Sequence, residues 1–244
     1  MNDGWQTIDL GGKPADVFTP PNGPPRFGLL FLHGYDQITL SRNTVFTKLL
    51  SEHYWACVCP HGDRCWWTDR IWPNYDAAIS AEQYLLQSAL PFFQSQWGIG
   101  SRAVGLLGYC MGGQGALKLA FKYPLLFPAV VAISSAIEYH ELFWSGTAID
   151  DLYASKEQCR QDTALMHIHP SIYPPHLFFS CDPTDPWWRG NDRLHEKLPA
   201  LGIPHESDLT TRAGGHSWNY VERFAERAFR FLLAALEKES RRLV

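Results

Sequence analysis

No stretch of this sequence approaches the ~20 consecutive apolar residues that a membrane-spanning helix requires, which excludes a helical membrane span. The opening Met1-Asn2-Asp3-Gly4-Trp5 has no basic segment followed by an apolar run, so no secretory signal is read there. Six cysteines, at 57, 59, 65, 110, 159 and 181, are too few and too scattered to staple a chain of 244 residues with disulfides. Together these absences lead to the expectation of a reducing, cytoplasmic location. An excess of charge is also missing. Lys and Arg total 21 and Asp and Glu 25, giving a net −4, so neither nucleic acid nor an anionic membrane is an expected partner. No repeat, low-complexity tract or Gly/Ser linker divides the chain, and residues 1–244 are expected to form one domain.

What is present is a globular composition, 45% hydrophobic and 19% charged, arranged as short apolar runs alternating with helix-length amphipathic segments. Strands are predicted at 27–32, 55–59, 103–107, 128–133, 176–181 and 206–209. Several are nearly continuous apolar runs, as strands covered on both faces must be. Helices are predicted at 43–53, 76–96, 111–122, 191–201 and 218–238. In the last, Val221, Phe224, Ala225, Ala228, Leu232 and Leu236 fall on one stripe, with Glu222, Arg223, Glu226, Arg227 and Arg230 largely off it. This alternation predicts an α/β fold with a mostly parallel central sheet and helices on both faces. Residues 1–26 are expected to add one or two antiparallel edge strands, and 139–175 to form an excursion over one end of the sheet.

The most informative segment is Ala103 to Leu117, where an apolar strand enters Gly108-Tyr109-Cys110-Met111-Gly112 and leaves as a helix. A turn this sharp strains the backbone at its centre and needs small residues on either side. It presents the central side chain beyond the end of the sheet. The following helix aims its free N–H groups at the same place, where they favour negative charge. Cys110 is therefore the candidate nucleophile, and a thiol is chemically sufficient because thiolate is strongly nucleophilic. The usual residue at the centre of this pattern is serine.

A nucleophile on such a turn requires an acid and then a histidine further along the chain. The predicted strand 176–181 runs into Asp182-Pro183-Thr184-Asp185-Pro186, and Gly214-Gly215-His216 lies between the last strand and the last helix. Asp185, clear of the strand end, is the first candidate for the acid; Asp182 competes with it, and Glu138 is a more distant alternative. His216 would take the Cys110 proton and later protonate the leaving group. A tetrahedral intermediate needs two donors for its oxyanion. Met111 N–H is one candidate. The other is Tyr35 N–H in Leu32-His33-Gly34-Tyr35-Asp36, with Gly34 or Asp36 a one-residue alternative and His33 a support for the loop.

Two tryptophan pairs, Trp66-Trp67 and Trp187-Trp188, follow predicted strands on the same edge and are candidates for the substrate cavity. Cys57, Cys59, His61 and Cys65 match no zinc spacing, and His167 and His169 have no paired acid motif, so no metal or cofactor is expected. Arg189 and Asp192 read as a surface ion pair.

With these residues assembled, the chain resembles the α/β-hydrolase superfamily over nearly its whole length. More narrowly it resembles the esterase family that contains S-formylglutathione hydrolase, or esterase D. The stretches that carry the likeness are GYCMGGQGALKLAFKYP (108–124), FPAVVAISSAI, CRQDTAL (159–165), DPTDPWW (182–188) and GGHSWNY (214–220). The resemblance implies that Cys110, Asp185 and His216 take the catalytic positions, with Met111 and Tyr35 as oxyanion donors. The family has serine where this chain has Cys110, whereas GYCMGG is also similar to dienelactone hydrolase, which uses cysteine. The expected activity is hydrolysis of a small-molecule ester or thioester through an acyl-enzyme. A dienelactone-hydrolase-like activity, acyl transfer, and a binding protein on a weakened hydrolase site are the alternatives.

Overall fold

The computed structural model of the chain describes residues 4–242. Its strands are β1 (Trp5–Leu10), β2 (Lys13–Phe18), β3 (Phe27–Leu32), β4 (Trp55–Pro60), β5 (Val104–Tyr109), β6 (Ala129–Ile133), β7 (His176–Ser180) and β8 (Glu206–Asp208). They form a single sheet of 8 strands in the order β1-β2-β4-β3-β5-β6-β7-β8. Every pair from β4 to β8 is parallel, while β1 and β2 join as the antiparallel edge expected of the N-terminal segment. The helices are α1 (Thr44–Glu52), α2 (Ala81–Tyr84), α3 (Leu90–Trp97), α4 (Met111–Lys122), α5 (Ile149–Leu152), α6 (Lys156–Gln161), α7 (Trp188–Ala200) and α8 (Trp218–Arg241).

β3, β4 and β5 are buried along their whole length because helices cover both faces. On one face, Leu232 of α8 fills the space that Gly105 leaves, and Phe229 of α8 packs on Phe46 of α1 with ring centroids 6.1 Å apart. The apolar stripe of α8 is buried as its periodicity requires, each large side chain contributing about 1.5–3 kcal/mol. On the other face, Phe93 of α3 seats against Gly28, and Glu82 of α2 accepts hydrogen bonds from Lys122 and Tyr123 at the end of α4.

The helix predicted at 76–96 starts later. The Asp76 carboxylate accepts from the N–H groups of Ala78 and Ile79 and closes a turn there. Ser80 and Gln83 then form a reciprocal cap that starts α2 at Ala81. The helix is also interrupted by a wider π turn, Leu85–Ala89, with Pro91, which has no N–H to donate, at the join to α3.

The excursion at 139–175 is tied down rather than loose. The fully buried Lys118 of α4 pairs with Asp162 at 2.7 Å. The Tyr153 hydroxyl donates to the other oxygen of that carboxylate at 2.6 Å. Tyr139 and Tyr153 share a hydrogen bond between their hydroxyls at 2.9 Å. The segment therefore packs on the same helix that begins at Cys110.

Strand order decides what can meet. β3 lies between β4 and β5, so the chain leaves β3 in opposite directions on its two sides, and a crevice opens beyond the strand ends. Leu32 pairs with Gly108, which sets the loop after β3 beside the turn after β5. The fit is tight: a Cβ on Gly112 would lie 1.8 Å from the Leu32 carbonyl oxygen, and one on Gly108 would lie 2.1 Å from the Gly112 carbonyl oxygen. Only backbone could yield at either place. Gly112→Ala is expected to destabilise the protein by more than about 3 kcal/mol in urea unfolding, beyond the usual cost of overpacking; a loss under about 1 kcal/mol would show that the crossing is not rigid.

Candidate active site

Cys110 occupies the turn between β5 and α4 with φ 55° and ψ −117°, a region that L residues avoid. Strain of this kind costs about 1–3 kcal/mol and persists only where neighbours enforce it. Here the Cys110 N–H donates to the Ile133 carbonyl at 3.0 Å, and its own carbonyl accepts from Ala136 at 3.0 Å and Gln114 at 3.2 Å. Both sides of the residue are thus bonded to the end of β6 and the first turn of α4. The side chain has nowhere to point but beyond the sheet.

His216 reaches this point from the loop after β8. Its ring Nδ1 lies 2.8 Å from Asp185 Oδ2, and His216 and Cys110 line the same cavity. Asp185 is fixed in turn, because its Oδ1 accepts from the Trp187 N–H at 2.8 Å. The structure therefore brings Cys110, His216 and Asp185 together, with His216 hydrogen-bonded to Asp185 and facing the same cavity as the thiol. Burial works against a charged imidazole, but the hydrogen bond to Asp185 and the neighbouring Cys110 thiol outweigh it and push His216 up to about 10.

The two competing carboxylates do other things. Asp182 is buried at the end of β7, where it accepts from the Thr184 N–H and hydroxyl at 2.8 and 2.7 Å. Its second oxygen accepts from the Ala213 and Gly215 N–H groups at 2.7 and 3.0 Å. Burial raises its pKa, and these donors reverse the effect and hold it at about 2. Asp182 thereby clamps the loop that carries His216, with Gly214 and Gly215 at φ 95° and 66° supplying the bend. Glu138 is paired with Arg193 and has no contact with the histidine. Arg189 and Asp192 form an ion pair on the outside of α7 at 2.7 Å.

The loop after β3 abuts the thiol. A Cβ on Gly34 would stand 3.1 Å from Cys110 Cβ. His33 braces this loop from beneath: its Nε2 accepts from the Gly62 N–H at 2.8 Å, which leaves Nδ1–H to donate to the Gly34 carbonyl at 2.8 Å. Among the described residues, the N–H groups of Tyr35 and Met111 donate to no protein acceptor. Met111 opens α4, where the first N–H groups have no partner within the helix.

A cavity of about 320 Å³ opens beside Cys110, lined by Tyr35, Asp36, Tyr109, Cys110, His216, Ser217 and Trp218. Its wall corrects the expectation for the tryptophan pairs. Trp66 and Trp67 are buried, with exposures of 1% and 0%: Trp66 stacks on Tyr139, and Trp67 donates to the His33 carbonyl and packs against Gly115. Trp188 donates to the Leu209 carbonyl and binds two loops together, and Trp187 is half-buried against the core. The aromatic surfaces come instead from Tyr109, whose ring stacks on His216 at 5.1 Å, and from Trp218, which packs on Tyr109 at 5.4 Å. Both flank a residue singled out by its motif, in GYC and HSW, and that adjacency was the available signal. Elsewhere, Cys57 and Cys59 lie inside β4 with sulfurs 3.6 Å apart.

Comparison with solved structures finds the same fold in many proteins. The chain is similar to the fluorophosphonate-binding serine hydrolase F of Staphylococcus aureus at 19% identity, TM-score 0.77, covering 93% of this chain and 96% of that one. It is similar to an S-formylglutathione hydrolase from Agrobacterium tumefaciens at 16% identity, TM-score 0.78, covering 95% and 94%. A ferulic acid esterase gives 16% identity, TM-score 0.74, and coverage of 93% and 96%. A comparison with curated protein sequences finds no match. These likenesses establish an α/β-hydrolase fold. The model of the family described as Putative esterase matches residues 28–234, from β3 through most of α8, and the chain belongs to that esterase family, whose members are carboxylic ester hydrolases.

Proposed function

We propose that this hydrolase cleaves small carboxylic esters or thioesters through an acyl-enzyme on Cys110. The observation that carries the reading is Cys110 and His216 on the lining of one cavity, with His216 hydrogen-bonded to Asp185 and the unpartnered N–H groups of Tyr35 and Met111 beside it. In the first half of the reaction the proton of the Cys110–His216 pair already rests on His216, and the Cys110 sulfur attacks the substrate carbonyl carbon as the thiolate. The carbonyl oxygen takes the electron pair and is met by the Tyr35 and Met111 N–H groups. Collapse breaks the bond to the alcohol or thiol, which leaves with the proton from His216. In the second half the now neutral His216 deprotonates a water, which attacks the thioester; Cys110 Sγ departs as thiolate beside the reprotonated His216.

Asp185 keeps the imidazole in one orientation and stabilises its charged form. Asp182 acts through the loop as a positioning residue. The aromatic walls of Tyr109 and Trp218 favour a short or flat acyl group, and 320 Å³ is near the lower limit of small-molecule sites. The neighbour from Staphylococcus is a serine hydrolase, and this chain differs in presenting sulfur.

Cys110→Ala is expected to lower kcat/KM for p-nitrophenyl acetate by at least about a thousandfold, the scale on which a nucleophile contributes. Cys110→Ser retains measurable turnover if the site tolerates oxygen. Full activity in the Ala variant would contradict the mechanism. Asp185→Asn is expected to cost about a hundredfold or more in kcat. Asp182→Asn instead loosens the loop and lowers stability and kcat together. A larger kcat loss in Asp182→Asn than in Asp185→Asn, with thermal stability unchanged, would reverse the assignment of the acid.

His216 also makes the site sensitive to pH. Its pKa is raised from 6.5 to about 10, so its stabilising contribution is complete below 6.5 and is lost as pH rises through about 10. An NMR titration of the His216 ring should show a midpoint near 10 that falls by more than about one unit in Asp185→Asn. A midpoint near 6.5 in the unchanged protein would contradict the ion-pair description.

A further inference from the structure

The cavity beside Cys110 has one fixed negative group on its lining, the carboxylate of Asp36. It is exposed to solvent but held in place. Its Oδ2 accepts from the Trp218 indole N–H at 2.8 Å, and its Oδ1 accepts from the Ile38 N–H at 3.2 Å. Trp218 in turn packs on Tyr109 and on Phe31, so the carboxylate is held against the aromatic wall. It directly follows Tyr35 on the loop that abuts the thiol. The Arg64 guanidinium lies over the Tyr35 ring at 4.6 Å and is not part of the lining. His216 and Cys110 also line the cavity, and the charge of His216 is matched by Asp185 and Cys110.

A carboxylate fixed at the mouth of a partly enclosed site repels anions and draws cations more strongly than the same charge on open surface. We infer that Asp36 makes the Cys110 site selective by charge, admitting neutral and cationic esters or thioesters and disfavouring those with a carboxylate near the reacting carbonyl. This deepens the hydrolase reading and rests on it for the word substrate. A leaving group that carries free carboxylates, glutathione among them, would meet a like charge at the entrance. Choline-type esters would meet an opposite one.

The test reads the thiol itself, so it does not depend on turnover. Cys110 is 6% exposed and the other five cysteines 2% or less, which directs a thiol reagent to it. The probes are methanethiosulfonates bearing a trimethylammonium, a sulfonate or a plain methyl group. Each transfers its alkylthio group to Cys110 with loss of methanesulfinate, and peptide mass spectrometry confirms the position. Rates are divided by those on free 2-mercaptoethanol. The corrected cation-to-anion ratio is expected to reach about tenfold at low salt and to shrink in about 0.5 M salt. Asp36→Asn keeps an oxygen acceptor for the Trp218 N–H and should bring the ratio to within about twofold of unity. Asp36→Glu, which restores the charge, should return most of it. A ratio near unity in the unchanged protein, or one that survives Asp36→Asn, would overturn the proposal. Failure of the acyl-enzyme reading would appear separately, as absence of p-nitrophenyl acetate hydrolysis with the charge selectivity intact.

Discussion

Everything at this site depends on the backbone crossing beneath Cys110. Gly112 touches the Leu32 carbonyl and Gly108 touches Gly112, so β3, β5 and α4 approach at distances that no side chain would permit. That closeness forces φ at Cys110 to 55° and pushes its side chain past the sheet edge. It also brings the loop after β3 against the thiol, with the Tyr35 and Met111 N–H groups close by. The strain at Cys110 is small beside the burial of the surrounding strands, which is why it can be maintained. One constraint thus sets the positions of the thiol and both candidate oxyanion donors.

The histidine and its acid arrive by a different route. They come from loops after β7 and β8, two and three strands from β5, and must span that distance accurately. Asp182 solves the problem by accepting hydrogen bonds from the loop backbone at Ala213 and Gly215, leaving Asp185 free to face His216. Two carboxylates three residues apart have been divided into a clamp and a partner. His33 does for the Gly34 loop what Asp182 does for the His216 loop, through hydrogen bonds to Gly62 and Gly34. Buried polar groups with their bonds satisfied hold each irregular segment that approaches the thiol.

Much of this was legible in the residues. Continuous apolar runs located the parallel strands, and the Gly-Tyr-Cys-Met-Gly turn, followed by an acid and Gly-Gly-His, identified the three residues that come together. Local chemistry hid the start of α2, where the Asp76 turn precedes the Ser80 cap. The walls of the cavity were harder to read. Trp66 and Trp67 follow a strand on the right edge, but both adopt left-handed backbone, with φ 57° and 51°, which turns their rings inward. Nothing in a pattern of apolar spacing reports that rotation. The division of labour between Asp182 and Asp185 was equally invisible, because it depends on a loop about thirty residues further along the chain.

Sulfur at the centre of the turn is the feature on which the proposed chemistry rests, and an acyl group on Cys110 is what that proposal requires. The decisive measurement is acid quench of the protein during turnover of p-nitrophenyl acetate, followed by intact and peptide mass spectrometry. The account predicts one acetyl group per chain, carried on the peptide containing Cys110 as a thioester that hydroxylamine removes. Steady turnover with no acetyl group on Cys110, or with the group on another residue, would contradict it.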